Sequence, residues 1–337
     1  MNEFIELFTD ERLSRRCHED IPEAHVFHKM VEYYGDRLSK TERGLLQMQF
    51  EDVENALALS RRRELYAAEL IFKMIADQQL EYPEFMRNGM LSIVKAAASY
   101  YVYACGRIEE SMELMEQAIR YSMTQSMDFP FILTGSQQQW LNIVVVRSRQ
   151  GDMDSAFSEL NALTSFFLTG EASGMGVEER FHFDAGGVIC DRFWQLEPEL
   201  QHDMICKITG HAFGGLLRYC HNDFSLAGNY YGQLIRQAAY AMQGRRVIQW
   251  ARSPIMLLHL FYTGQRERFL EGISEQFDDI LQAAPPLQWL IISNYVLLFR
   301  EAGFDLESHP NYKRFFEAYW SLGINTELLK PVAQEMG

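Results

Sequence analysis

A helix–turn–helix unit that recurs in one frame restricts this chain more than any other feature. Residues 92–118, with Gly106 at the turn, align with residues 137–163, with Gly151 at the turn. After the turn the first segment carries Ile108, Ser111, Met115 and Ala118, and the second Met153, Ala156, Leu160 and Leu163. Before the turn stand Ala98, Ser99 and Val102 in one, and Trp140, Ile143 and Val144 in the other. Spacings of three and four place each set on one helical face. The glycine permits the backbone to leave the first helix, and small residues mark where two helices cross closely. The only β-branched run, 143–146, lies inside this helical frame, so the expectation is an all-α chain.

The rest of the chain follows the same texture. Ser39 and Glu42 form a capping-box pattern, followed by a stripe of Leu46, Phe50, Val53 and Leu57. Leu65, Ala68, Phe72 and Ile75 mark the next helix, and a long apolar helix is expected over 85–104 after Pro83. Further helices are expected over 107–123, 135–150 and 152–168. The run 169–176 (Thr-Gly-Glu-Ala-Ser-Gly-Met-Gly) reads as a flexible loop. It divides an N-terminal helical half, 1–168, from a C-terminal helical half, 177–337. Glycine pairs at 186–187 and 214–215 predict short or bent helices there, since glycine costs about 1 kcal/mol relative to alanine within a helix.

The repeat resembles the tetratricopeptide repeat (TPR) family, whose motif has an early aromatic in its first helix, glycine at the turn and alanine in its second helix. Trp140, Gly151 and Ala156 carry the match, which is clearest over 92–168. Copies ending at Gly264 and Gly303 put Phe269 and Ser308 where the small residue belongs, and Gly106 and Gly151 stand 45 residues apart rather than the usual 34. The resemblance implies a TPR-like α-solenoid of antiparallel helix pairs, continuing through the C-terminal half. It also implies a concave groove that binds a protein or peptide, which would make the chain an adaptor or regulator. The groove residues it implies are Ile93, Ala96, Tyr100 and Tyr103 in one repeat. In the next they are Gln138, Leu141, Val145, Ser148 and Arg149. Tyrosine supplies contact area with a polar tip, and arginine a fork for carboxylates.

Charge and cysteine usage narrow the partners. With 31 Lys+Arg against 46 Asp+Glu the formal net charge is −15, which repels polyphosphate, so no direct nucleic-acid partner is expected. The basic runs Arg15-Arg16, Arg61-Arg62-Arg63 and Arg245-Arg246 read as solvated helix faces. Five scattered cysteines, an odd number, suit a reducing compartment. The start of the chain lacks the apolar run of a signal peptide, and the most apolar stretch, 287–299, falls short of a membrane span. A cytoplasmic protein without a membrane partner is the expectation. Methionines such as Met112, Met115 and Met123 read as core. A homodimer through the aromatic segment 312–320 is a further reading.

No catalytic motif is present: no phosphate-binding glycine loop, no Gly-x-Ser-x-Gly elbow, no His-Glu-x-x-His. No cofactor is expected. The alternative function is a helical enzyme or enzyme subunit with a metal or small-molecule site around 182–221. There His202 and Cys206, four apart, would share a helical face. A second cluster, Cys17, His18, Glu19, Asp20, Glu23, His25 and His28, has no paired zinc spacing either.

Overall fold

The computed structural model describes residues 26–78 and 82–169, with the short stretches 180–181, 260, 265, 267–268 and 271–272. Helix accounts for 87% of the described residues and none is strand. Seven helices follow one another among them. These are α1 (Val26–Tyr33), α2 (Lys40–Arg61), α3 (Leu65–Gln78), α4 (Glu84–Ala104), α5 (Ile108–Gln125), α6 (Leu133–Arg149) and α7 (Met153–Thr169). Single 3-10 turns occupy Gly35–Arg37 and Pro130–Ile132. All seven helices belong to one compact unit, Ala24–Met204. The expected helices match these bounds to within two residues. The glycine pairs, the late repeats and nearly all of the 169–176 loop lie outside the described residues.

The two turn glycines do what their spacing requires. Gly106 has φ of 80° and Gly151 φ of 81°, the left-handed region that side chains avoid. Around each, the same two bonds satisfy carbonyls left over by the preceding helix. Arg107 N–H donates to Val102 at 3.1 Å and Gly106 N–H to Tyr103 at 2.9 Å. Asp152 N–H donates to Arg147 and Gly151 N–H to Ser148, both at 3.0 Å. A third copy of this turn joins α2 to α3 and contains no glycine. Arg63 adopts φ of 65°, its N–H donates to Ser60 at 3.1 Å, and Glu64 N–H donates to Leu59 at 3.0 Å. Arg63 therefore stands in register with Gly106 and Gly151. Two, five, nine and twelve residues after it come Leu65, Ala68, Phe72 and Ile75, the positions of the other two seams. Ala68, Ser111 and Ala156, five after each turn, are all buried, as are Ile75, Ala118 and Leu163, twelve after it.

Polar contacts fix how α4 and α5 fold back on each other. Ser111 Oγ donates to the Ser99 carbonyl at 2.8 Å, and the hydroxyls of Ser92 and Ser122 meet at 2.5 Å. At the far end the Gln125 amide spans one turn of α4. It accepts from Gly89 N–H at 3.0 Å and donates to the Phe85 carbonyl at 2.9 Å and to Tyr34 Oη at 2.7 Å. Gly89 has no room for a side chain, because a Cβ there would run into Met30 Sδ. Burial, with help from Asp128, pushes the Tyr34 phenol up to about 12, against the pull of its Gln125 bond.

Three apolar clusters fill the interior. One joins Phe27, Met30 and Tyr34 to Leu46, Phe50, Met86, Met90 and Phe129, with the Phe27 and Phe50 rings stacked at 4.1 Å. A second holds Val53, Ile75, Val94 and Ala97; a third holds Ala68, Tyr101 and Val102. The stripe expected on α2 is largely inside, with Leu57 half-buried. Met112, Met115 and Met123 are core, as expected.

The start of α2 is closed by the expected capping box: Glu42 N–H donates to Ser39 Oγ at 3.2 Å and Ser39 N–H to Glu42 Oε2 at 2.8 Å. Hydrogen bonding to Ser39, side chain first and backbone second, holds the Glu42 carboxyl below its usual range. A depressed carboxylate stabilises above its unfolded pKa, and that contribution is lost as pH falls through its folded pKa. The first turn of α2 should therefore lose amide-exchange protection on acidification, and Glu42→Gln should flatten that pH dependence. The turns give a second test. Gly151→Ala should destabilise by about 1–2 kcal/mol in urea unfolding. Gly44→Ala, at an exposed position in the second turn of α2 with open space at its Cβ, should stabilise by roughly 0.5–1 kcal/mol.

Candidate functional site

Three turns of one kind bring the ends of α2, α4 and α6 into play together. Arg61 sits over the exposed ring of Tyr100, with its guanidinium carbon 5.9 Å from the ring centroid. Arg63 Nη1 donates to the Ala104 carbonyl at 2.7 Å, so the arginine of the first turn caps the last turn of α4. Tyr103 Oη accepts from Arg149 Nη1 at 2.9 Å, and the Arg149 guanidinium carbon lies 5.9 Å from that ring. Arg61, Tyr100, Tyr103 and Arg149 thus form a row that links the three helices.

Three carboxylates among the described residues near this end pair with other cations. Glu110 pairs with Arg107 at 2.9 Å, Glu69 with Lys73 at 2.7 Å, and Asp152 with Arg147 at 3.5 Å. Asp152 also caps α7, accepting from Ser155 N–H, and Ser155 above all holds its carboxyl low. Among the described residues no carboxylate forms an ion pair with Arg61, Arg62 or Arg63. The row is cationic and aromatic on a chain that is acidic as a whole.

The other residues singled out in the sequence are divided by their burial. Ile93 is half-buried and packs against two of the apolar clusters; Ala96 and Val145 are also half-buried. Gln138 donates to Asn142 on its own helix at 3.2 Å. Leu141 is buried, and Ser148 is buried with its hydroxyl on the Val144 carbonyl at 2.8 Å. Leu141 and Ser148 therefore serve the interior, while Tyr100, Tyr103 and Arg149 face outward or sit half-covered. Arg61 and Arg63 are the residues that sequence reasoning passed over as solvated. The signal was there in Arg63, which occupies the turn position of the same frame.

A second polar assembly lies between α5, α6 and α7. Glu159 is buried; its Oε2 accepts from Trp140 Nε1 at 2.8 Å, and its Oε1 meets Arg180 Nη1 at 2.5 Å and Arg147 Nε at 3.5 Å. Arg180 also reaches Glu116, with Nε at 3.0 Å, and its carbonyl accepts from Arg120 at 3.2 Å. Burial works against the Arg180 charge, but Glu159 and Glu116 outweigh it and raise its pKa. Phe181 is buried edge-on against Trp140 at 5.0 Å. Beside it lies an open recess of about 210 Å³ lined by Asn88, Gln117, Arg120, Tyr121, Thr124 and Phe181. The Trp140 of the repeat motif is thus both core and donor to a buried charge.

Comparison with models of protein families, with curated proteins and with solved structures found no match for this chain. Among the described residues no cluster of His, Cys, Asp and Glu could hold a metal ion, and no helix is long and apolar enough to cross a membrane. His202 and Cys206 lie outside the described residues, as does the N-terminal cluster apart from His28. That histidine packs edge-on against Phe27 and Phe50. Cys105 is an exposed free thiol.

Removing one partner of a buried ion pair leaves the other uncompensated. Because Arg180 is about a quarter exposed, Arg180→Met should cost about 2 kcal/mol in urea unfolding, below the range for fully buried pairs. The same variant should shift the indole N–H resonance of Trp140, since Glu159 loses its closest cation.

Proposed function

We propose that this chain is a protein- or peptide-binding adaptor or regulator, built as a TPR-like α-solenoid of antiparallel helix pairs. Three observations support the architecture. The same left-handed turn recurs at Arg63, Gly106 and Gly151, 43 and 45 residues apart. The same seam positions follow each turn, and each helix pair packs against its neighbour in the chain.

The row Arg61–Tyr100–Tyr103–Arg149 is the single observation that carries the binding role. It draws side chains from three helices, which an isolated helix pair could not assemble. Its chemistry favours a peptide that offers carboxylates to the guanidinium forks and apolar or aromatic side chains to the tyrosine rings. Since the whole chain carries a net charge of −15, long-range attraction does not deliver such a ligand. Recognition then depends on short-range hydrogen bonds and ring contacts.

Selection from a random peptide library on the wild-type protein, followed by calorimetry, tests this reading. Enriched peptides should carry acidic and aromatic residues. Arg61→Ala with Arg149→Ala should weaken their binding by about tenfold or more while leaving the helical circular dichroism unchanged. Tyr103→Phe, which removes only the hydroxyl that holds Arg149, should cost about 1 kcal/mol of affinity. Binding that is indifferent to all three substitutions would remove the row from the function.

A further inference from the structure

The outer face of α3 breaks the pattern that the other second helices keep. Three, seven and eleven residues after the turn, α5 carries Glu109, Glu113 and Gln117, and α7 carries Asp154, Ser158 and Ala162. Glu109, Glu113, Asp154 and Ser158 are exposed, and Gln117 and Ala162 are half-buried, so these positions carry polar or small side chains. At the same three positions α3 carries Tyr66, Leu70 and Met74, which are 75%, 51% and 40% exposed. They lie four residues apart, one row along the helix. An apolar row at positions that are otherwise hydrophilic calls for a covering surface.

The charges flanking the row indicate what covers it. Arg62 and Arg63 stand at the N-terminal end of α3 and exposed Asp77 at its C-terminal end; among the described residues none of the three has an ion-pair partner. If a second α3 is laid antiparallel across the first with Leu70 opposite Leu70, Tyr66 falls opposite Met74 and Asp77 opposite the Arg62–Arg63 turn, where Arg62 is the guanidinium not bonded to the Ala104 carbonyl. Both ends then match at once, which is what an interface formed by one patch with itself demands. A parallel arrangement would instead set arginine against arginine and aspartate against aspartate.

We propose that two copies of this chain pair through α3, antiparallel about a twofold axis at Leu70. The row is small beside the roughly 800 Å² per partner of a standard interface, so the dimer is weak and its population rises with concentration. The peptide-binding residues Tyr100, Tyr103 and Arg149 are on other helices, so either reading can fail without the other.

Sedimentation velocity of the full chain from about 1 to 200 μM reads the equilibrium directly. A dimer fraction that grows with concentration is expected. Leu70→Glu sets two carboxylates together at the axis and should weaken the dimer at least tenfold without changing the circular dichroism. Asp77→Arg should weaken it several-fold, and adding Arg62→Asp should recover part of that loss. In a background with all five native cysteines replaced by serine, Leu70→Cys should cross-link two copies under mild oxidation. A monomer at every concentration would overturn the proposal, whether the row is then bare or covered by another protein. So would a dimer that ignores Leu70→Glu, and an unchanged dimer in Asp77→Arg would overturn the antiparallel register.

Discussion

Each helix pair depends on the two backbone hydrogen bonds that close its turn. A helix that ends leaves carbonyls without partners, and in a tightly packed pair water cannot reach all of them. The left-handed residue at Arg63, Gly106 or Gly151 turns the chain so that its own N–H and the next one reach back to those carbonyls. Because the turn is the same length each time, the register of the second helix follows from it. Position five after the turn then lies inside the pair, and small residues, Ala68, Ser111 and Ala156, are buried there. The larger seam residues follow from helical spacing. Glycine makes this backbone easy; Arg63 bears the strain of a side chain, and its bond to the Ala104 carbonyl offsets part of that strain.

Apolar seams alone would tolerate sliding of one helix along the next, since burial is not directional. Two buried polar groups remove that freedom. Gln125 satisfies a donor, two acceptors and a close approach at Gly89 with a single amide, so a shift of one residue would strand several groups. Glu159 does the same for α6 and α7, where the Trp140 indole and two guanidinium groups converge on one carboxylate. A buried charge adds little net stability, but a misaligned one is costly, so it discriminates against wrong registers. Among the described residues a buried carboxylate thus stands beside the largest fully buried ring, Trp140.

The two surfaces proposed for binding depend on side chains that the repeat pattern alone does not place. Helix ends gather side chains from separate turns, and three matching turns put Arg61, Tyr100, Tyr103 and Arg149 in reach of one another. On the outer side, Tyr66, Leu70 and Met74 stand where the other second helices carry polar or small residues. The first surface is charged and aromatic, suited to a ligand with carboxylates. The second is apolar with opposite charges at its ends, suited to its own copy.

Much of the helical architecture was legible from the residues. Helix positions, the capping box at Ser39 and the turns at Gly106 and Gly151 were readable because they obey local rules: spacing, cap chemistry and backbone freedom act within a few residues. The first copy of the turn was hidden because Arg63 holds a conformation that its own chemistry disfavours, and the compensating carbonyl belongs to Ala104, forty-one residues away. Among the residues chosen for the groove, Tyr103 and Arg149 meet while Leu141 and Ser148 go inward. A periodic pattern says which residues share a face, not which neighbouring helix that face meets. Nothing in the residues around Glu159 marks it as buried; Arg180 and Trp140 meet it only in the folded chain. Local sequence thus determined helices, caps and two of three turns by itself. Tertiary structure alone decided the third turn, the buried charges and the exposed rows, because each depends on groups that only the folded chain brings within bonding distance.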